Sequence, residues 1–475
     1  MSSPGLFAEE MQEAVASLST PDVLDTPFGR MEFFDGVPKA DTVASMYDAL
    51  DLMRGVEVFM NSVPGASLVA MRRGISSVGV DSPRRIGYTD PRANSGAFFL
   101  TPNTETTYGT TFLDLKAWGP TVVEAPPMSL CVLDDFWFRY VADMGIAGPD
   151  RGQGGRYLFL PPGYEGDEPD GYYVYRSPTF VNWAVLRALG GVDDLKKTRI
   201  YPLSEVDDPQ PNEWLNLAEF AFNTVHANDF GFFEEVNELV QNEPADALDP
   251  ERAGQLAAIG IEHGRPFDPD ERMKAILEQA AQLGAGMSRV VAYAPRDPQA
   301  PIYGSWNNAF VGGSYEFLRN GARLLDARTM FHYLATVITP AMAHAQPGAG
   351  SAYAFTVHDA NGDIFDGAKT YRLHVDPDPP VKNFWSIDIY DTQTRSLIQV
   401  DSTRWPALAS NGGTLQQNDD GSYDLYVGPN APAGKESNWV ESIPGKSWFT
   451  IFRLYGPLEP WFEQTWKLND FQPVD

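Results

Sequence analysis

Between positions 42 and 60 apolar residues recur every three or four places (Val43, Met46, Leu50, Met53, Val56), the period of one face of an α-helix. Asp41 or Thr42 can cap that helix, and Pro64-Gly65 is expected to end it. From Ala97 the texture changes to short β-prone runs at 106–113, 129–141, 156–160 and 172–175. Clusters such as Gly148-Pro149-Asp150 and Pro161-Pro162-Gly163 separate them, which argues for a sandwich or barrel. After Pro178 the period is helical again. Trp214, Leu217, Ala218 and Ala221 share one helix face with Phe220 and Phe222 beside them, and Phe233, Val236, Leu239 and Val240 mark the next helix. The clearest helix has Asp268 as N-cap, Pro269 in its first position and Glu271 three residues after the cap. Its buried stripe runs from Met273 through Ile276, Leu277, Ala280, Leu283 and Met287 to Val290.

From Ser351 the alternation has period two, punctuated by turns at Asp359-Ala360-Asn361-Gly362 and Asn418-Asp419-Asp420-Gly421. Trp385, Ile387 and Ile389 face one way, and Phe384, Ser386, Asp388 and Tyr390 the other. Trp448, Thr450, Phe452 and Leu454 likewise oppose Phe449, Ile451, Arg453 and Tyr455. Both faces carry bulk, so each sheet should be covered on both sides. The expected fold is α+β, with two antiparallel, jelly-roll-like β-sandwich domains, a helical middle segment and an N-terminal helix. Its expected division is an extension over 1–40, a sandwich over 41–205, a mainly helical segment over 206–345 and a second sandwich over 346–475.

At 475 residues the chain exceeds what one core usually organises. Its 35 basic against 64 acidic side chains give a net charge of −29, which repels phosphate backbones and anionic lipid head groups. Nucleic acid is therefore not an expected partner, and solubility is the plain reading of the charge. No apolar run approaches the roughly 20 residues a membrane span needs, and the first ten residues have no basic and apolar leader pattern. The cytoplasm is the expected compartment, or the periplasm or exterior if a leader has been removed. The single cysteine, Cys131, excludes an intrachain disulfide framework, and its apolar surroundings suggest a buried thiol.

The runs 101–108 (Thr-Pro-Asn-Thr-Glu-Thr-Thr-Tyr) and Phe112-Leu113-Asp114-Leu115 resemble the domain of unknown function numbered 1254. So do Asp135-Phe136-Trp137-Phe138-Arg139-Tyr140, the Gly/Arg-rich run 148–157, Leu160-Pro161-Pro162-Gly163-Tyr164 and Tyr175-Arg176-Ser177-Pro178-Thr179. The second half resembles the partner domain numbered 1214, through Asp326-Ala327-Arg328-Thr329, Tyr371-Arg372-Leu373, Asn383-Phe384-Trp385-Ser386, Tyr390-Asp391 and Phe452-Arg453-Leu454-Tyr455. The resemblance implies two β-sandwich domains with helices between them, an oligomer in many relatives, and hydrolysis of small amphiphiles as proposed for some. Many relatives carry Asn-x-Asp-Thr where this chain has Glu105, whose carboxylate reaches one methylene further.

Absent motifs narrow the chemistry. The chain has no Gly-x-Ser-x-Gly elbow, no P-loop, no His-Glu-x-x-His and no dinucleotide fingerprint, and its six histidines lack ligand spacing. No cofactor and no metal are expected, although Glu105, Asp134, Asp135 or Asp143 would suit a hard cation. The candidate catalytic group is Glu105 as general acid or base, with Asn103 and Tyr108 to orient and Asp135 beside them. Read as one strand, 135–141 places Asp135, Trp137 and Arg139 on a common face, where Arg139, and Arg176 nearby, could hold an anionic group. Tyr303 and Trp306 lie in a Gly/Asn/Pro segment, 301–313, that could cover an interdomain cleft. The leading expectation is a small-molecule hydrolase or lyase with a site in or beside the first sandwich. The alternatives are a non-catalytic binder of a metabolite, sugar or lipid-like ligand, and a structural or assembly protein. A homo-oligomer is expected.

Overall fold

The computed structural model describes residues 4–474. In the strand Val381–Asp391, Trp385, Ile387 and Ile389 enter one buried cluster while Tyr390 enters another, and Phe452 and Phe449 divide the same way in Trp448–Pro457. Alternation thus makes this central sheet two-faced, and both faces are covered. Its six strands run in the order Pro301–Tyr303, Trp306–Asn308, Ser351–Thr356, Trp448–Pro457, Val381–Asp391, Ala407–Ala409. A four-stranded sheet (Trp439–Glu441, Tyr423–Gly428, Thr370–Val375, Gln472–Val474) covers one face, with Leu373, Leu425 and Val427 meeting Trp385 and Phe452 between the layers.

The N-terminal half repeats this plan. Its six-stranded sheet has the order Glu213–Asn216, Arg85–Tyr88, Gly109–Asp114, Val181–Leu186, Leu130–Asp135, Tyr140–Gly145. Its four-stranded partner is Tyr173–Arg176, Gly155–Leu160, Thr121–Ala125, Arg199–Pro202, and Leu113, Leu133 and Leu186 pack against Val123, Phe159 and Ile200. Pairing is antiparallel except at three edges, where Tyr173–Arg176, Glu213–Asn216 and Trp439–Glu441 join in parallel. The fold is α+β.

The principal helices are α1 (Pro4–Leu18), α2 (Ala40–Ser77), α3 (Gly231–Asn242), α4 (Pro250–Ala257), α5 (Glu271–Tyr293) and α6 (Leu325–Leu334). One apolar cluster joins α2, α3, α5 and α6 to the second face of each six-stranded sheet, through Phe112, Val132 and Trp183 on one side and Phe355 and Phe449 on the other. Small residues let α2 approach its neighbours. A Cβ at Gly65 would lie 2.3 Å from Leu239 Cδ2 on α3, and one at Gly284 would lie 2.6 Å from the Phe59 ring. Of the expected extension, residues 1–3 lie outside the described residues. The remainder forms α1 and a small antiparallel sheet, Val23–Thr26, Gly29–Phe34 and Val37–Pro38. No helix among the described residues is long and apolar enough to cross a membrane.

Local expectations for three helices are corrected. Neither Asp41 nor Thr42 caps the first long helix and Pro64-Gly65 does not end it: α2 starts after Lys39, with no side-chain cap, and runs through Pro64 to Ser77. Proline removes the donor that would serve the Met60 carbonyl, and the Thr329 hydroxyl of α6 donates there instead at 3.3 Å. The cap of α5 is Asp270, not Asp268, with its carboxylate accepting from Met273 N at 2.8 Å, and its buried face runs through Leu277, Ala280, Gly284, Ala285 and Ser288, so Leu283, Met287 and Val290 of the expected stripe are exposed. The expected helix at 214–222 is the strand Glu213–Asn216 followed by a single 3₁₀ turn at Leu217–Glu219. Parallel pairing with Arg85–Tyr88 satisfies its backbone, and so short an apolar run fits either period.

Candidate functional site

The Asn103 side chain organises the segment that leads into the strand Gly109–Asp114. Its Oδ1 accepts from the backbone N–H groups of Glu105 and Thr106, both at 3.2 Å, and from the Thr106 hydroxyl at 2.8 Å. Its Nδ2 donates to the Tyr108 hydroxyl at 2.9 Å. Residues 103–108 are therefore an Asx-type turn, not the start of a strand. This turn forms part of the wall of a cavity of about 310 Å³, partly open to solvent, between the two six-stranded sheets.

The N-terminal sheet contributes Trp183, Val185 and Arg187 to the wall, successive residues on one strand face and its extension. The C-terminal sheet contributes Tyr353, Ile451 and Arg453, while Phe99, Phe222, Phe310 and Phe331 supply apolar surface from loops and α6. Among the described residues the Arg187 side chain has neither an ion pair nor a hydrogen bond, and its guanidinium lies 5.9 Å from the Tyr108 ring centre. Arg453, by contrast, is neutralised. It donates to Asp388 at 2.5 Å and to the Thr101 carbonyl at 2.9 Å.

The segment 335–342, which follows α6, closes another side. Ile338 N donates to Asp134 at 3.1 Å, and the Thr339 hydroxyl donates to Asp143 at 2.7 Å. Burial raises both carboxyls, Asp134 well above the usual range and Asp143 to about 6. Asp143 and Thr339 reach the cavity wall. So does Cys131, but burial pushes its thiol up to about 11, which leaves too little thiolate for a nucleophile. Among the described residues no group of three or more His, Cys, Asp or Glu is placed to hold a metal ion.

Of the residues singled out from sequence, Asn103 and Tyr108 line the cavity. Glu105 stands behind them, with its carboxylate accepting from the Thr104 hydroxyl at 2.7 Å and from Tyr455 at 3.5 Å. Asp135, Trp137 and Arg139 do not share a strand face. Leu130–Asp135 and Tyr140–Gly145 form a hairpin whose turn is 136–139, with Phe138 at φ 60°. Asp135 ties that turn, accepting from Trp137 N and Arg139 N at 2.9 Å each and from Arg139 Nε at 2.6 Å. Arg176 is on the outer sheet, exposed and paired with Glu168. Tyr303 and Trp306 face the C-terminal core: Trp306 Nε1 donates to the Asn469 carbonyl at 3.0 Å, and the Tyr303 hydroxyl accepts from Leu468 N at 3.1 Å. From that segment only Ala309 and Phe310 reach the cavity. The structure therefore does not gather Glu105, Asp135, Arg139 and Arg176 around one hollow.

Sequence reasoning missed Arg187, Tyr353 and Arg453 as cavity residues. For Arg187 a signal existed: period two from Trp183 and Val185 puts it on their face, the one basic group in that apolar row.

Residues 85–203 match the family described as protein of unknown function DUF1254, and residues 350–459 match protein of unknown function DUF1214. The two matches fall in the N-terminal and C-terminal halves of the chain, where the sequence motifs resemble these families. The DUF1254 match takes in the N-terminal sandwich apart from its edge strand Glu213–Asn216, and the DUF1214 match takes in most of the second sandwich, so the cavity lies between the two. The VPA0106 protein of Vibrio parahaemolyticus is similar in structure, with 18% identity and a TM-score of 0.53 over 90% of this chain and 100% of that one. An uncharacterised protein from Burkholderia cenocepacia aligns at 11% identity and a TM-score of 0.35, over 92% of this chain and 97% of that one. No curated protein matches.

Proposed function

We propose that the cavity between the DUF1254 and DUF1214 domains binds a small, mostly apolar organic molecule that carries an anionic group. The observation that carries this reading is the unpaired Arg187 guanidinium on an aromatic-rich wall. A guanidinium without a carboxylate in such surroundings gains most from a ligand carboxylate, sulfonate or phosphate, which it can grip with two parallel hydrogen bonds. The volume suits a ligand of modest size, and a concave apolar site with a few convergent polar groups is the usual form of a ligand pocket. Asn103, Tyr108 and Tyr353 supply neutral hydrogen-bonding groups beside it.

Turnover of that ligand by hydrolysis or elimination is the second reading, favoured by Asp143. A cavity-wall carboxyl held at about 6 can give or take a proton near neutral pH. Thermal-shift titration with aromatic and alkyl carboxylates or sulfonates tests binding. At least one should stabilise the protein, and Arg187→Met should abolish that shift while leaving the ligand-free melting temperature in place. A panel with no stabilising member, or a shift unchanged in Arg187→Met, overturns the reading. Recovery of every stabilising ligand chemically intact would remove the catalytic version.

A further inference from the structure

A second set of buried polar groups lies away from the cavity, where α2, α4 and α6 meet the 136–139 turn. Arg328 on α6 is only 7% exposed. Its Nη2 donates to the Asn61 side-chain oxygen, and its Nε has no hydrogen bond. Arg252 on α4 donates to the Asn61 backbone carbonyl at 3.2 Å and lies 5.4 Å from the Trp137 ring centre. Arg139 spends Nε on Asp135 and Nη1 on the Ala247 carbonyl, leaving a buried Nη2 without a partner. Arg323, exposed at the edge, donates to the Glu316 carbonyl. Trp137 Nε1 and His332 Nδ1, buried in the same neighbourhood, also lack hydrogen bonds.

Four guanidinium groups therefore share this corner with one ion pair, Arg139–Asp135. Glu57 and Asp249 act on Arg328 and Arg252 only through space, because Glu57 binds the Asn61 amide and Asp249 caps α4. In a chain of net charge −29 such a grouping is conspicuous. Buried cations without a bonded counter-ion and buried donors without acceptors each cost free energy, and a bound anion relieves both at once.

We propose that this corner is an oxyanion site, which takes a phosphate or sulfate ion, or the phosphoryl or sulfate end of a larger molecule, with Arg328 and Arg252 as its floor and Arg139 and Arg323 as its rim. Forked guanidinium donors match the several acceptor oxygens of such a group. Beside Arg252, the residues Asn61, Ser62 and Gln255, with Val58, Leu248 and Leu256, line a hollow of about 10 Å³, close to the space of one water molecule, so one oxygen of the ion enters there and the rest of the ligand lies outside it. Burial, with Arg252 and Arg323 alongside, holds the Arg328 guanidinium down at about 9, still protonated at neutral pH and ready for a counter-ion.

The test is thermal denaturation of the full chain in rising inorganic phosphate against chloride of equal ionic strength, with calorimetry for the affinity. Phosphate should stabilise beyond chloride, multiplying the folding constant by roughly 100 once free phosphate reaches 100 times its Kd. Arg328→Met should weaken phosphate binding by at least about tenfold, as loss of a charged hydrogen-bond partner does. Arg323→Gln, at an exposed position that folding does not need, should weaken it by a smaller factor, and Arg176→Gln should change nothing. Phenyl phosphate binding as well as phosphate would mark the ligand as an ester, and binding of phosphate alone would mark it as the free ion. Equal stabilisation by phosphate and chloride, or phosphate affinity unchanged in both Arg328→Met and Arg323→Gln, overturns the proposal.

Discussion

Two of the regions that bury an arginine differ in their surroundings. At the seam between the sandwiches Arg453, 4% exposed, has a carboxylate partner in Asp388, a carbonyl partner in Thr101 and the Tyr390 ring 5.7 Å away. Asp388 is in turn held by Thr104 N at 3.2 Å and by the Ser386 hydroxyl at 3.4 Å. At the corner between α2, α4 and α6, Arg328 is nearly as buried and has one neutral partner. Burial of a charge alone does not mark a site. What separates the regions is the accounting of donors and acceptors, closed at the seam and open at the corner.

The largest expected effect tests the closed side. Arg453→Met leaves Asp388 without its cation and the Thr101 carbonyl without its donor, and should cost about 3–5 kcal/mol. Replacing Asp388 by Leu in the same chain should recover most of that loss, since an apolar pair needs no compensation. Urea denaturation of the single and double variants measures both. A single variant as stable as the parent would show that the seam pair contributes nothing.

Buried carboxyls extend the comparison to pH. Burial raises Glu235 to about 8 and Glu243 to about 7, against an ordinary value near 4.5. Each stays protonated in the fold where the unfolded chain is already ionised, so stability falls as pH rises through those values. His226 and His332 act oppositely. Burial pushes both down to about 3, so below about 6.5 the unfolded chain takes up protons that the fold refuses. The melting temperature should therefore rise from pH 8 to about 6.5 and gain less, or turn down, below that. Glu235→Gln should remove on the order of 1–2 kcal/mol of the rise. A flat profile in the parent would contradict the assignment.

Next comes the open side. In buffer free of phosphate and sulfate, Arg328→Met removes one hydrogen bond and an uncompensated charge, so its cost should stay below about 1 kcal/mol or turn into a gain. A loss as large as that of Arg453→Met would erase the contrast between the two regions.

How far the sequence revealed these regions follows from the range of the forces involved. Alternation in 381–391 and 448–455 was legible because each strand's two faces carry their own apolar rows, and so was the helical period of α5, though not its buried face, where the small residues Gly284, Ala285 and Ser288 pack and Leu283, Met287 and Val290 stay exposed. The passage of α2 through Pro64 was not, because the hydroxyl serving the Met60 carbonyl comes from Thr329, 269 residues away. The turn at 136–139 reads as strand because Phe136, Trp137 and Phe138 are β-prone, and what bends it is Asp135 binding two backbone donors and Arg139. The cavity joins Asn103, Arg187, Tyr353 and Arg453, residues no local period can bring together. Trp137 and Arg139 of the Asp135–Tyr140 motif have as companions Arg252 and Arg328, which lie on distant helices.

The smallest expected effect concerns Glu105, which stands between the cavity and the seam. Its direct bonds are few, one from the neighbouring Thr104 and a long one, at 3.5 Å, from Tyr455, so Glu105→Gln should change stability by less than about 1 kcal/mol. Its charge reaches further. Asp388 is raised first by burial and then by the negative charge of Glu105, against the pull of Arg453. Neutralising Glu105 should therefore lower the Asp388 titration midpoint, and carbon-13 NMR of the carboxyl can follow it. A lowered midpoint with stability intact would make Glu105 an electrostatic neighbour that tunes the closed network. An unmoved midpoint would instead mean that Arg453 already fixes the state of Asp388, and that the pair is insulated from the charge of Glu105.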